Sequence, residues 1–243
     1  MKGVALVTGG SRGIGAATAK LLARQGYAVG VNYRLRAESA ARVVGEIEQS
    51  GGRALAVQAD VSIETEVVRL FDEIEQRLGP VTHLVNNAGA LFTQSRLVDM
   101  DLERFNRVML ANTTSCFLCC REAARRMQPG GAIVNLSSIA AQLGAPFEYV
   151  DYAAAKGAVN SLTKGLAKEL AAEGIRVNAV SPGLIYTDIH ADGGEPGRVD
   201  RLGPTLPMQR GGTAEEVANA IAWLLSDQAS YVTGAILEVA GGR

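Results

Sequence analysis

Apolar residues run without alternation through short segments such as Val4-Ala5-Leu6-Val7 and Ala132-Ile133-Val134-Asn135-Leu136. Strands covered by helices on both faces read this way, because neither face meets water. Runs of this kind recur near 4–8, 28–32, 53–58, 82–86, 131–136, 175–180 and 235–239. Between them, longer stretches with helical spacing lie near 13–25, 37–50, 64–77, 102–128, 152–173 and 214–226. The alternation predicts an α/β chain with a seven-stranded parallel sheet. Right-handed crossovers then put helices on both faces, a doubly wound arrangement with its ligand site at the carboxyl ends of the strands. The 243 residues suit a single domain, 1–243. Glycines, prolines and charges interrupt the pattern from 187 to 212, a long connection of the kind that forms lids, and we expect it to cover the substrate.

Composition narrows the partners. Hydrophobic residues make up 47% and charged residues 20% of the chain, with a net charge of −1, so nothing electrostatic points to nucleic acid or a membrane surface. No apolar run approaches the roughly 20 residues of a membrane span. The chain opens directly into a strand-like run without a cleavable signal, and a cytoplasmic location is expected. Cys116, Cys119 and Cys120 cluster on one helix, but the two histidines, His83 and His190, are far away in sequence. A metal would lack ligands there, and buried small apolar side chains are the better reading.

The first strand leads into Thr8-Gly9-Gly10-Ser11-Arg12-Gly13-Ile14-Gly15, which opens the first helix. Gly9, Gly13 and Gly15 let backbone amides and a helix N-terminus approach a pyrophosphate with no Cβ in the way, with Ser11, Arg12 and Ile14 between them. The second strand ends Val31-Asn32-Tyr33-Arg34. No carboxylate stands there to accept from an adenosine 2′-hydroxyl, whereas Arg34 and Arg12 suit a 2′-phosphate, so NADP(H) is favoured over NAD(H). Asp60-Val61, after the third strand, would meet the adenine. Asn87, Ala88 and Gly89, after the fourth, offer a small-residue floor beside the ribose, although Asn87 equally suits a tie between neighbouring strands.

Tyr152 and Lys156 stand four residues apart on one helix, hence on one face, where an ammonium would draw a phenol pKa down from about 10. A hydroxyl from Ser138 would hold a substrate oxygen beside them. Ser137 is the rival, pointing to the opposite side of the strand.

In this order the motifs resemble the short-chain dehydrogenase/reductase family over essentially the whole chain. The glycine turn is Thr8 to Gly15, Asn-Asn-Ala-Gly is Asn86 to Gly89, and Tyr-x-x-x-Lys is Tyr152 to Lys156. The family's active-site asparagine matches Asn112, and its Pro-Gly segment matches Pro182-Gly183, followed by Ile185 and Thr187 near the carboxamide. The resemblance implies a Rossmann domain in which hydride passes between nicotinamide and substrate carbon while Tyr152 exchanges the proton. Lys156 would hold the ribose hydroxyls, Ser138, in the family pattern Asn-x-Ser-Ser, would polarise the substrate oxygen, and Asn112 would bind a relay water. It also implies a homotetramer built on helices 102–128 and 152–173 and on the last strand. For the substrate, three readings stand: an NADP(H)-dependent carbonyl reductase or alcohol dehydrogenase, a 3-oxoacyl-carrier-protein reductase, or a non-catalytic NADP(H)-binding sensor or scaffold. The segment around Glu148 to Tyr152 resembles bacterial members labelled sugar dehydrogenases. Arg198, Arg201 and Arg210 would bind a substrate anion or, as we favour, form ion pairs with Glu195 and Asp200, while His190 is taken as incidental.

Overall fold

Seven strands, β1 (Val4–Val7), β2 (Ala28–Tyr33), β3 (Arg53–Gln58), β4 (Val81–Asn86), β5 (Ala132–Leu136), β6 (Arg176–Pro182) and β7 (Ile236–Val239), pair in parallel in the order β3-β2-β1-β4-β5-β6-β7. They come from a computed structural model that describes residues 2–243. Helices α1 (Gly13–Arg24), α2 (Ala37–Gln49) and α3 (Glu64–Leu78) cross the first half of the sheet. Next come α4 (Leu102–Met109), α5 (Ser115–Arg126), the short α6 (Ala140–Leu143) and the long α7 (Val150–Leu170). Last are α8 (Ile189–Asp192), α9 (Arg198–Leu202) and α10 (Ala214–Leu225). Strand order reverses between β1 and β4, and connections leaving these two strands in opposite directions open a crevice at their carboxyl ends.

Successive strand residues feed opposite cores. Leu6, Leu84 and Ile133 join Phe71 and Ile74 of α3 and Cys119 of α5 on one face, while Val7, Val85 and Val134 join Leu22 of α1 and Ile221 of α10 on the other. This two-sided burial is why the strands read as continuous apolar runs. All three cysteines are buried, and burial pushes the Cys119 thiol up. Cys120 Sγ lies 3.1 Å from Asn86 Nδ2 and 3.4 Å from Asn135 Oδ1, inside a neutral network of the core.

The helix expected over 102–128 carries one widened turn, a π-helical step at Leu110–Thr114 between α4 and α5. The interruption is local and contains Asn112. The breaker-rich segment 187–212 contains the two short helices α8 and α9. Leu102, Phe105, Leu110 and Phe117 on the α4–α5 unit are exposed. Among the described residues, no helix is long and apolar enough to cross a membrane.

Candidate active site

The glycine turn is fastened to the end of β4 by neutral groups. Thr8 Oγ1 accepts from the amides of Asn87 and Ala88, each at 3.0 Å, and Asn87 Nδ2 donates to the carbonyls of Thr8 (2.9 Å) and Gly9 (3.0 Å). Asn87 therefore acts as the tie that the sequence left open. A Cβ on Gly15 would lie 2.5 Å from both Asn87 Nδ2 and the Gly9 carbonyl, so the turn has no room for a side chain there. Gly9 itself sits at φ 60, where L-residues are strained. Asn32, expected at the cofactor, is buried and spent on support: its Oδ1 accepts from Gly9 N at 3.2 Å and its Nδ2 donates to Ala59 O at 3.1 Å. No side chain caps the first turn of α1. Those open amides, facing a cradle that Cβ atoms would fill, fit a dinucleotide pyrophosphate. Thr187 closes the other side, since a Cβ on Gly13 would meet its Cγ2 at 3.2 Å.

The two guanidiniums expected at a 2′-phosphate both have carboxylate partners. Arg12 bonds Asp192 and lies 3.6 Å from Asp188, bridging from the turn to segment 187–212, and Arg34 lies 3.5 Å from Asp60. Asp60 also accepts from Ser62 N (3.0 Å) and Ser62 Oγ (2.6 Å). Against a burial that raises it, these bonds and Arg34 hold the Asp60 carboxyl below its usual range. Tyr33 is half-buried beside this end of β2, and Val61 is buried.

Beyond the switch point, four segments converge. The π turn presents buried Asn112, whose Nδ2 donates to Ala90 O (2.9 Å) and Val108 O (3.0 Å) and whose Oδ1 accepts from Ala90 N (3.3 Å). A Cβ on Gly89 would lie 2.6 Å from Asn112 Oδ1 and 3.5 Å from Lys156 Nζ, which brings these three positions together. Lys156 is buried, donates to Leu136 O at 2.8 Å and stands 5.5 Å from the centroid of the Tyr152 ring. The buried Ser137 hydroxyl donates to Lys156 O at 3.3 Å, and Ser138 borders the cleft together with Tyr152. The Ser137 hydroxyl is thereby committed to the backbone of α7.

The electrostatics differ from expectation. Burial pushes the Tyr152 phenol up to about 12, with Ser138 acting weakly in the opposite direction. Burial also takes Lys156 down to about 8. The ammonium sits over the ring and is bonded to a backbone carbonyl, so dehydration outweighs any attraction it exerts on the phenolate.

A cleft joins the two halves, lined by Ile14, Asn87, Gly89 and Thr187 at one end and Asn112, Ser138, Tyr152 and Lys156 at its centre. Pro182, Gly183 and Ile185 line it too. Its outer wall includes Leu91, Leu143, Tyr149, Glu148 and Arg198. Arg198, only 5% exposed, bonds Glu148 through both terminal nitrogens and Glu195 at 3.0 Å, with its guanidinium 5.4 Å from the Tyr149 ring centroid. Arg201 donates to Glu195 at 2.6 Å and Arg210 to Glu216 at 2.9 Å. The arginines of segment 187–212 are therefore ion-paired, but Asp200 accepts from the Tyr186 hydroxyl at 2.8 Å and not from an arginine. His190 is buried, its Nε2 lies 3.1 Å from Ile185 O, and burial lowers its pKa. Glu148 and Tyr149 immediately precede the helix bearing Tyr152 and line the wall, a placement that no motif in the sequence signals.

A family model described as enoyl-(acyl carrier protein) reductase matches residues 9–243. An uncharacterized oxidoreductase of Escherichia coli (strain K12), YgfF, is 59% identical over 245 residues that cover 99% of each chain. A 3-oxoacyl-(acyl-carrier-protein) reductase of Synechocystis sp. is 42% identical over 242 residues, 98% of this chain and 96% of that one. Among solved structures, a short chain dehydrogenase from Burkholderia cenocepacia in complex with NADP superposes with a TM-score of 0.93 at 36% identity, covering 100% of this chain and 98% of that one.

Proposed function

We propose, from the premise that the chain belongs to the short-chain dehydrogenase/reductase family and is an oxidoreductase, that it interconverts a carbonyl and an alcohol with NADP(H). The observation that carries this reading is the convergence of Asn112, Ser138, Tyr152 and Lys156, from three separate segments, on one cleft next to the glycine turn. The bound nicotinamide supplies or accepts the hydride. Gly9, Ser11, Gly13 and Ile14 would hold the pyrophosphate end, Arg12 and Arg34 the 2′-phosphate, and Asp60 and Val61 the adenine. Asn87, Ala88, Gly89 and Lys156 would hold the ribose, and Pro182, Gly183, Ile185 and Thr187 the carboxamide. The preference for NADP(H) is supported by Arg34 directly after β2, by Arg12 in the turn and by the lack of a carboxylate between them on β2.

With its pKa pushed to about 12, Tyr152 keeps its proton at neutral pH and is set to donate to a carbonyl oxygen that Ser138 orients. Alcohol oxidation needs the phenolate and gains as pH rises. Lys156 holds its charge below about 8, where it stabilises the phenolate that donation leaves behind. Asn112, anchored through Ala90 and Val108, would hold a water that links Lys156 to solvent. The Synechocystis relative supports 3-oxoacyl thioesters as a second substrate reading. Exposed Leu102, Phe105, Leu110 and Phe117 support self-association as a homotetramer, with the cytoplasm as the place of action.

The deciding experiment is Tyr152→Phe. Turnover of NADPH with a panel of ketones, sugars and 3-oxoacyl thioesters is expected to vanish, while a thermal shift with NADPH persists and exceeds that with NADH. A variant that still turns over would remove the proton-donor role, and a larger shift with NADH would reverse the cofactor assignment.

A further inference from the structure

We propose that Arg104 and Asp151 are positioning residues: a buried ion pair that sets the first turn of α7, and with it Tyr152, against the wall of the substrate cleft. The proposal rests on the proton-donor reading of Tyr152 given above. Asp151 immediately precedes Tyr152 in the first turn of α7 and is 2% exposed. Its Oδ1 accepts from Tyr152 N at 2.8 Å, satisfying one of the amides that a helix start leaves open. Its Oδ2 accepts from Arg104 Nε at 2.8 Å. Arg104 lies 47 residues earlier on α4, with its side chain 14% exposed. The same guanidinium donates through Nη1 to Thr93 O at 2.7 Å. Thr93 belongs to the strip after β4 whose Leu91 lines the cleft and whose Gln94 donates to Glu195 of the lid segment at 2.7 Å. One fork of fixed geometry therefore joins the backbone of Tyr152 to the strip opposite it.

The chemistry of the fork makes both residues specific. Only a guanidinium presents separate donors in a rigid plane that reach a carboxylate and a carbonyl at once, so a lysine at 104 keeps the charge and loses one of the two attachments. At 151 an asparagine cannot serve both neighbours. Its oxygen can face Tyr152 N or Arg104 Nε, and its amide nitrogen then opposes the other donor. A displacement of about 1 Å in a proton donor is enough to cost about a hundredfold in rate, and that is the effect expected of a loosened Tyr152.

A pair that only stapled α4 to α7 would affect stability alone, and the test separates the two roles. Arg104→Lys is expected to stay folded and to lower kcat by about tenfold or more, with the Kd for NADPH within twofold of the parent. The double variant Arg104→Met with Asp151→Leu removes both charges together, a change that buried pairs tolerate in stability. Its Tm is expected to return to near the parental value while kcat stays low and the pH profile of the reaction shifts. Recovery of kcat together with Tm would overturn the positioning role, as would full activity of Arg104→Lys. If the double variant does not fold, Arg104→Lys alone decides. Tyr152→Phe, assayed alongside, keeps the two readings apart. Its inactivity with an active Arg104→Lys removes only the pair, and its activity removes the proton donor on which the pair acts.

Discussion

The two ends of the cleft are built from different materials. At the glycine turn the ties are neutral: Thr8, Asn32 and Asn87 bond to backbone groups of their neighbours, and the fit depends on missing Cβ atoms. At the outer wall the ties are ionised: Arg198 to Glu148 and Glu195, and Arg104 to Asp151. Neutral hydrogen bonds give up modest solvation on burial and are indifferent to pH near neutrality, whereas each buried charge depends on its partner. One end is thus a fixed socket for a ligand common to a family. The other is a wall whose shape is set by a few long side chains and changes when one of them is replaced.

The largest effect is expected where the ionic wall is cut. Arg198→Met leaves Glu148 without its arginine partner, while Glu195 keeps Arg201 and Gln94. Removing one partner of a buried pair typically costs about 3–5 kcal/mol, and the partial exposure of both carboxylates brings the expectation to about 2–3 kcal/mol. Denaturant titration would read that loss, and KM for substrate should rise while the Kd for NADPH holds. If NADPH binding weakened as much as KM rises, the two ends would not be separable.

Lys156, where the ends meet, is a buried ammonium held by one neutral carbonyl. Its pKa is about 8 in the fold against 10.5 as the ordinary value. Below pH 8 the proton is bound in both states and the native chain bears the whole cost of burying the charge. Between about 8 and 10.5 the unfolded chain holds more protons than the native one, so stability rises with pH across that window. Lys156→Met removes that cost and also the bond to Leu136. At pH 7 it is expected to be more stable by about 2 kcal/mol, given about 1.4 kcal/mol per pKa unit and about 1 kcal/mol for the lost bond, and to have no turnover. Its advantage over the parent should shrink from pH 8 to pH 10. A less stable variant at pH 7 would mean that the ammonium is paid back by contacts stronger than one carbonyl.

The fold was legible because burial on both faces leaves a mark that survives in one dimension: Leu6 and Val7 enter opposite cores, and a run of four apolar residues follows. The π turn was not legible, since Leu-Ala-Asn-Thr-Thr reads as ordinary helix and its widening comes from packing. At the site, Tyr152, Lys156, Asn112 and Ser138 stood out through spacing and family resemblance, and the structure brings them together. The direction of the Tyr152 shift did not follow from spacing. Four residues on a helix place an ammonium near a ring, but whether it reaches the hydroxyl depends on a rotamer and on dehydration. Asn32 likewise sits at the expected strand end, yet its amide turns inward to the Gly9 amide. Arg104 and Asp151 are separated by 47 residues and match no motif, so only coordinates pair them.

Arg12 crosses from the neutral end to the ionic one, pairing with Asp192, 180 residues away, and with Asp188. Arg12 then has two claimants, the lid carboxylates and a 2′-phosphate. Side chains 32% and 38% exposed form a pair worth at most about 1 kcal/mol, so the contest is mild. Asp192→Asn removes the nearer carboxylate and leaves Asp188 at 3.6 Å. The Kd for NADPH is expected to fall by about two- to fivefold, the range that up to about 1 kcal/mol allows, more at low salt than at high, while the Kd for NADH stays put. Equal tightening of both cofactors would show that the substitution acts by loosening the lid generally. No change in either would place Arg12 outside phosphate recognition and leave the NADP(H) preference to Arg34 alone.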